Sequence, residues 1–188
     1  MVRGESLFIY FHGINAYLLV MRYGVLFLFL SFSFGGGGLC AQENILDART
    51  NFALGQTVTV DGIIISDDNL GFIRYMQDET AGIAVYPGGD WSAFEFTPQP
   101  GDVVSITGTL TEYNGLLEIV DLSLVTILGT APLPAPLDIT PSQLIEDIEG
   151  QLVRIQDVSF GVEGGAFVSN QTVEFEAFGE TGVLYISP

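Results

Sequence analysis

The side chains best suited to acid–base or nucleophilic chemistry are scarce in this sequence and confined to one end. The only histidine, His12, and the only cysteine, Cys40, both fall within the first 41 residues. If that segment is removed, no Ser–His or Cys–His pair can form in the remaining chain. Carboxylates remain plentiful. Asp67-Asp68-Asn69 and Asp78-Glu79 are hard oxygen groups of the kind Ca²⁺ takes. They lack the DxDxDG spacing, however, and stand where turns call for Asp and Asn. Glu146-Asp147-Glu149 reads as the solvated face of a short helix. Hydrolysis by a carboxylate pair needs two acids facing each other across a cleft, and no spacing here singles out a pair. The run Gly35-Gly36-Gly37-Gly38 lacks the Lys-Ser/Thr ending of a phosphate loop. No catalytic residue, no metal and no cofactor is therefore expected.

The N-terminal segment has its own logic. Residues 25–34 (VLFLFLSFSF) carry no charge, Arg22 precedes them, and GGGGLCA comes after them. A basic residue, a short apolar core and small residues before a cut describe a secretory signal. Residues 1–41 are thus expected to be a signal peptide, with Met21 as the functional start and no stable membrane insertion after cleavage. A membrane anchor spanning 7–34 and a lipid anchor at Cys40 are the competing readings. Removing residues 1–41 takes away Arg3, Arg22 and Glu5, leaving 3 basic against 22 acidic residues, a net of −19. There is no lysine. Such a field repels polyanions. It does not imply disorder, because 48% of the chain is hydrophobic.

The elements that would position any site are strands. Residues 56–65 (QTVTVDGIII) open with alternation, and residues 72–77, 83–86, 102–111 and 116–128 continue the series, the last with a break at Asp121. Asn114-Gly115 is a hairpin signal. A short helix fits within residues 91–96, before Pro98 and Pro100 forbid a longer one. Residues 129–141 hold four prolines and form a stiff linker. Residues 142–148 begin with a capping serine and fit two helical turns. Thereafter GQLVRI at 150–155 echoes GQTVTV at 55–60, and ETGV at 180–183 echoes ETAGI at 79–83. That self-similarity implies a second copy of one unit, cut short at Pro188. The expected fold class is all-β, a five-stranded Greek-key OB-type barrel over residues 45–128, followed after the linker by an incomplete second OB-like domain over 142–188.

A family resemblance adds to this reading. Gly71-Phe72-Ile73-Arg74-Tyr75-Met76-Gln77-Asp78 and the adjoining Thr80-Ala81-Gly82-Ile83-Ala84-Val85-Tyr86 resemble the second and third strands of OB-fold modules. Pro100-Gly101-Asp102-Val103-Val104 and Tyr113-Asn114-Gly115 are similar to strands four and five of the same modules. These modules occur in bacterial secreted and surface proteins, often beside a nuclease or phosphatase domain. OB barrels bind ligands on the face of strands two and three. The resemblance implies that Tyr75 and Gln77 face outward while Arg74 is at least partly buried. Tyr75, Gln77, Trp91 and Tyr113 would then form an aromatic and amide platform for a glycan, a protein or single-stranded nucleic acid. The plainer reading is that these aromatics cap the barrel ends. Nucleic acid is disfavoured, because phosphate contacts need Lys or Arg. The resulting expectation is an exported, non-catalytic binding or spacer module of tandem OB-like barrels. Its alternative is the accessory region of a secreted nuclease or phosphatase.

Overall fold

The computed structural model describes residues 7–12, 15–19, 43–161, 167–168 and 170–186. The apolar run at 25–34 and the cut before Gln42 lie outside them. Two short strands, β1 (Leu7–His12) and β2 (Asn15–Leu19), form an antiparallel hairpin. A helix, α1 (Ile45–Asn51), precedes the barrel and contributes Ile45 and Ala48 to its core. Its origin is local: the Asn44 side chain accepts a hydrogen bond from the Asp47 amide at 2.7 Å, and Arg49 lies in the last turn where the helix dipole favours a cation. At seven residues it is too short for apolar periodicity to announce it.

The five expected strands are all present. They are β3 (Thr57–Ile64), β4 (Arg74–Gln77), β5 (Gly82–Val85), β6 (Asp102–Tyr113) and β7 (Leu116–Thr130). They close into a barrel in the order β3-β4-β5-β7-β6, with only β5 and β7 parallel. That order is the OB topology. Alternation in β3 buries Val58, Val60, Gly62 and Ile64, while Thr57, Thr59, Asp61 and Ile63 turn the other way. The β6–β7 hairpin turns at Asn114 (φ 53°) and Gly115 (φ 88°), the left-handed pair that a two-residue turn demands. Asp121 also has positive φ, 47°, and marks the expected break in the last strand.

Two helical expectations are corrected. Within residues 91–96 the chain makes a single 3-10 turn, Trp91–Ala93, capped by the Asp90 carboxylate on the Ser92 amide. Trp91 is drawn into the barrel core there, and the backbone is already extended at Phe94. Over 142–148 two 3-10 turns form instead of one helix, Pro141–Gln143 and Glu146–Ile148. The cap is Thr140 rather than Ser142, because Gln143 returns its side chain to the Thr140 amide in a capping box. Ile145 is extended between the turns, so Leu144 and Ile148 can both pack on the second core.

That second core holds Ile139, Val153, Ile155, Phe175, Ala177 and Leu184. It is built from β8 (Leu137–Asp138), β9 (Leu152–Ile155), β10 (Ser159–Phe160), β11 (Gln171–Ala177) and β12 (Glu180–Ile186). Two small sheets result, β2-β1-β9-β8 and β10-β11-β12. Gly150 (φ +75°) and Gly55 (φ +88°), at the start of the two echoing segments, both have positive φ. The described residues do not close a second barrel: β9 pairs with β1 and β8, not with the β11–β12 hairpin.

Candidate functional site on the outer face of the barrel

The outer face of β4 and β5 is where a ligand platform is expected. Tyr75 and Gln77 turn outward, as the family resemblance implies, with Met76, Ile83 and Val85 in the barrel core. Outward does not mean exposed. Tyr75 is only 1% accessible, packed in a cluster with Ile65, Ala84, Leu116 and Leu152, with Leu133 against it. The Gln77 Oε1 accepts a hydrogen bond from the Leu152 amide at 2.9 Å. The expected ligand face is covered by the chain's own residues 133 and 150–152.

The cover fits at backbone level. A Cβ on Gly82 would overlap the Gly150 carbonyl and lie 2.6 Å from the Gln151 nitrogen, and a Cβ on Gly150 would lie 2.8 Å from the Gly82 carbonyl carbon. Only a glycine on each side permits this approach. At its rim Arg49 reaches from α1, donating to the Gly82 carbonyl and the Glu146 carbonyl, each at 3.0 Å. The same guanidinium lies 3.6 Å from the Glu149 carboxylate and 3.7 Å from that of Glu146. Glu149 is fully buried and also accepts from the Leu117 amide at 3.4 Å. Glu118, on β7 beside Ala84, is buried as well, and desolvation pushes its carboxyl above the usual glutamate range.

The other two expected residues lie elsewhere, so the four do not form one platform. Trp91 is 4% exposed; its indole donates to the Phe72 carbonyl at 2.8 Å. It also stacks 5.9 Å from the Arg74 guanidinium, and that packing removes its ring from solvent. Tyr113, at the β6–β7 hairpin opposite Leu116, is 64% exposed and is not among the residues of the Tyr75 cluster. Arg74 is buried more completely than expected, held by the carbonyls of Pro98, Gly71 and Ile73. Burial lowers its affinity for the proton, against the pull of Asp68 and Asp67. The turn acids are engaged locally. Asp78 accepts from the Thr80 and Ala81 amides and from the Ile45 amide, and Asp67 from the Asn69 amide. Sequence reasoning misses Arg49 and Glu149, whose meeting depends on a separation of 100 positions that no local pattern records.

Fold and site together define an OB-fold barrel whose outer strand-two and strand-three face is docked against the segment C-terminal to it. The chain is similar to Endonuclease YhcR of Bacillus subtilis (strain 168), 28% identical over 165 residues. The match covers 77% of this chain and 13% of that protein, so the chain spans a small part of the relative's length. A solved structure of the hypothetical protein ygiW from E. coli aligns with a TM-score of 0.39 and 21% identity, over 50% of this chain and 100% of the other. No protein-family model matches the chain.

Proposed function

We propose that this chain is an exported, non-catalytic spacer module of tandem OB-like units, working as the accessory region of a larger protein of nuclease type. The observation that carries the spacer role is the covered β4–β5 face. A surface that OB barrels commonly use for ligands is here occupied by backbone-level contact with residues 150–152. Interlocked glycines and the Arg49 contacts hold two units in one orientation, which is what a spacer must do. Similarity to a region of an endonuclease favours the accessory context. Charge argues against a nucleic-acid grip by this region itself. Arg49 and Arg154 are ion-paired with acids, and Arg74 is buried.

The test has two arms. Single-stranded oligonucleotides and soluble glycans are titrated into the purified chain at moderate salt, and DNA cleavage is assayed with divalent cations present. Neither binding nor cleavage is expected. Cleavage that purifies with the chain would end the non-catalytic reading. Oligonucleotide binding lost on Tyr75→Ala would show that the covered face opens to ligands and is no fixed joint. Small-angle scattering supplies the positive arm: a single rigid envelope is expected.

A further inference from the structure

Among the described residues, no strand pairs with one edge of the barrel. Beyond Asp121, β7 runs to Thr130 with β6 along one edge and, among the described residues, no strand along the other. A groove of about 770 Å³ lies beside it, lined by Phe94, Phe96, Leu122, Val125 and Ile127. Leu124, Ile127 and Leu128 are exposed. Residues 122–137 contain no charged side chain, the longest such run after residue 42. Natural edge strands are blunted by charge, proline or a cover, because an open apolar edge recruits another strand. Between Leu122 and Thr130 there is neither charge nor proline, and among the described residues no strand pairs with the outer edge.

The margins are acidic. Glu95 lines the groove, Asp121 precedes the strand, and Asp102 pairs with Thr130 at its far end. Among the described residues, no arginine lines the groove. A second copy of so acidic a chain would bring like charge to each margin, while a basic-flanked segment would find opposite charge there.

We propose that the β7 edge from Asp121 to Thr130 accepts an added strand from a partner protein: an extended segment, apolar at alternate positions and flanked by lysine or arginine. Main-chain hydrogen bonds would supply the affinity, and the Phe94–Phe96 groove would take the side chains that turn inward. This surface is separate from the covered β4–β5 face and does not depend on the spacer reading.

The probe is a short capped peptide of alternating valine and threonine with lysines at both ends, beside a twin carrying glutamates there. Both are titrated into the full chain by fluorescence anisotropy, and amide exchange is measured with and without peptide. The lysine peptide is expected to bind more tightly than its twin by on the order of tenfold at low salt, with the ratio shrinking as salt rises. Amides within residues 122–128 should then exchange more slowly. Ile127→Ser should weaken binding while leaving the thermal transition in place. Equal affinity for the two peptides, or unchanged exchange at 122–128, overturns the proposal. So does sedimentation showing that the chain alone forms a dimer abolished by Ile127→Ser, since a second copy would then own the edge.

Discussion

Two surfaces of one barrel have opposite fates. The β4–β5 face is closed by glycine against glycine, a glutamine side chain on a backbone amide, and an arginine shared among two carbonyls and two carboxylates. The far half of β7 is also largely apolar, but among the described residues no strand pairs with its outer edge. The difference shows that hydrophobicity alone does not decide which face is covered. The covered face has complementary backbone shape and a cation for a buried acid; the open edge has neither, only uncharged side chains and unpaired strand geometry.

The largest expected effect comes from removing that cation. Arg49→Ala takes away the guanidinium that faces the buried Glu149 carboxylate, and breaking a buried pair in this way costs about 3–5 kcal/mol. Urea unfolding monitored by the fluorescence of Trp91, the single tryptophan, would report it. Adding Glu149→Leu should recover much of the loss, because no stranded charge then remains. Simple additivity of the two losses would mean that the pair does not hold the units together. Next comes Gly82→Ala. Its neighbours are backbone atoms that cannot rotate away, so overpacking of about 1–3 kcal/mol should force residues 150–152 off the face. The Leu152 amide, freed from Gln77, should then exchange faster. Unchanged protection at Leu152 would show that the cover shifts without leaving.

Much of the barrel is legible because each strand carries its own signal. Alternation in residues 56–65, the Asn114-Gly115 turn and the break at Asp121 are local patterns, and each maps onto β3, the β6–β7 hairpin or the bend in β7. Alternation puts Tyr75 and Gln77 on one face, and the family resemblance, not the alternation, tells that the face points outward. Neither can reveal that Leu152 lies over them, because that contact joins residues 75 positions apart or more. Trp91 misleads for a related reason. Its proline and glycine neighbours suggest a loop, yet one 3-10 turn suffices to carry the indole into the core. The echoing segments 150–155 and 180–183 fall on β9 and β12, yet among the described residues these strands close no second barrel, so local strand signals do not fix their pairing.

A smaller effect, with a sign fixed by linkage, belongs to Glu118. Its folded carboxyl holds the proton more tightly than it would in the unfolded chain, because burial penalises the charged form. Folding is therefore favoured while Glu118 is neutral, and that stability is lost as pH rises through the raised value. Glu118→Gln should stabilise the protein at neutral pH, with the gain vanishing in acid below the ordinary glutamate range. Asp138 provides the opposite slope as a control. Hydrogen bonds from Arg154 and Gln156 hold its carboxyl below the usual range, so its contribution is present at neutral pH and lost in acid. A gain from Glu118→Gln that persisted in acid would show that the substitution acts through packing rather than charge.

The smallest expected effect, that of Leu124→Ala, sharpens the contrast when it is set beside Leu152→Ala. Leu152 and Leu124 are the same side chain on the covered face and on the open strand. Leu152→Ala removes a buried contact with Tyr75's cluster and should cost about 2–5 kcal/mol. Leu124→Ala removes a side chain that is 53% exposed, and its effect on the isolated chain should fall within about ±0.5 kcal/mol. Matched melts of the two variants give the contrast. If Leu124→Ala cost as much as Leu152→Ala in the isolated chain, the β7 strand would already be covered in solution, and the distinction between a closed face and an open edge would collapse. If the Leu124 penalty appeared only with the lysine-flanked peptide present, the edge would be open until a partner strand adds to it.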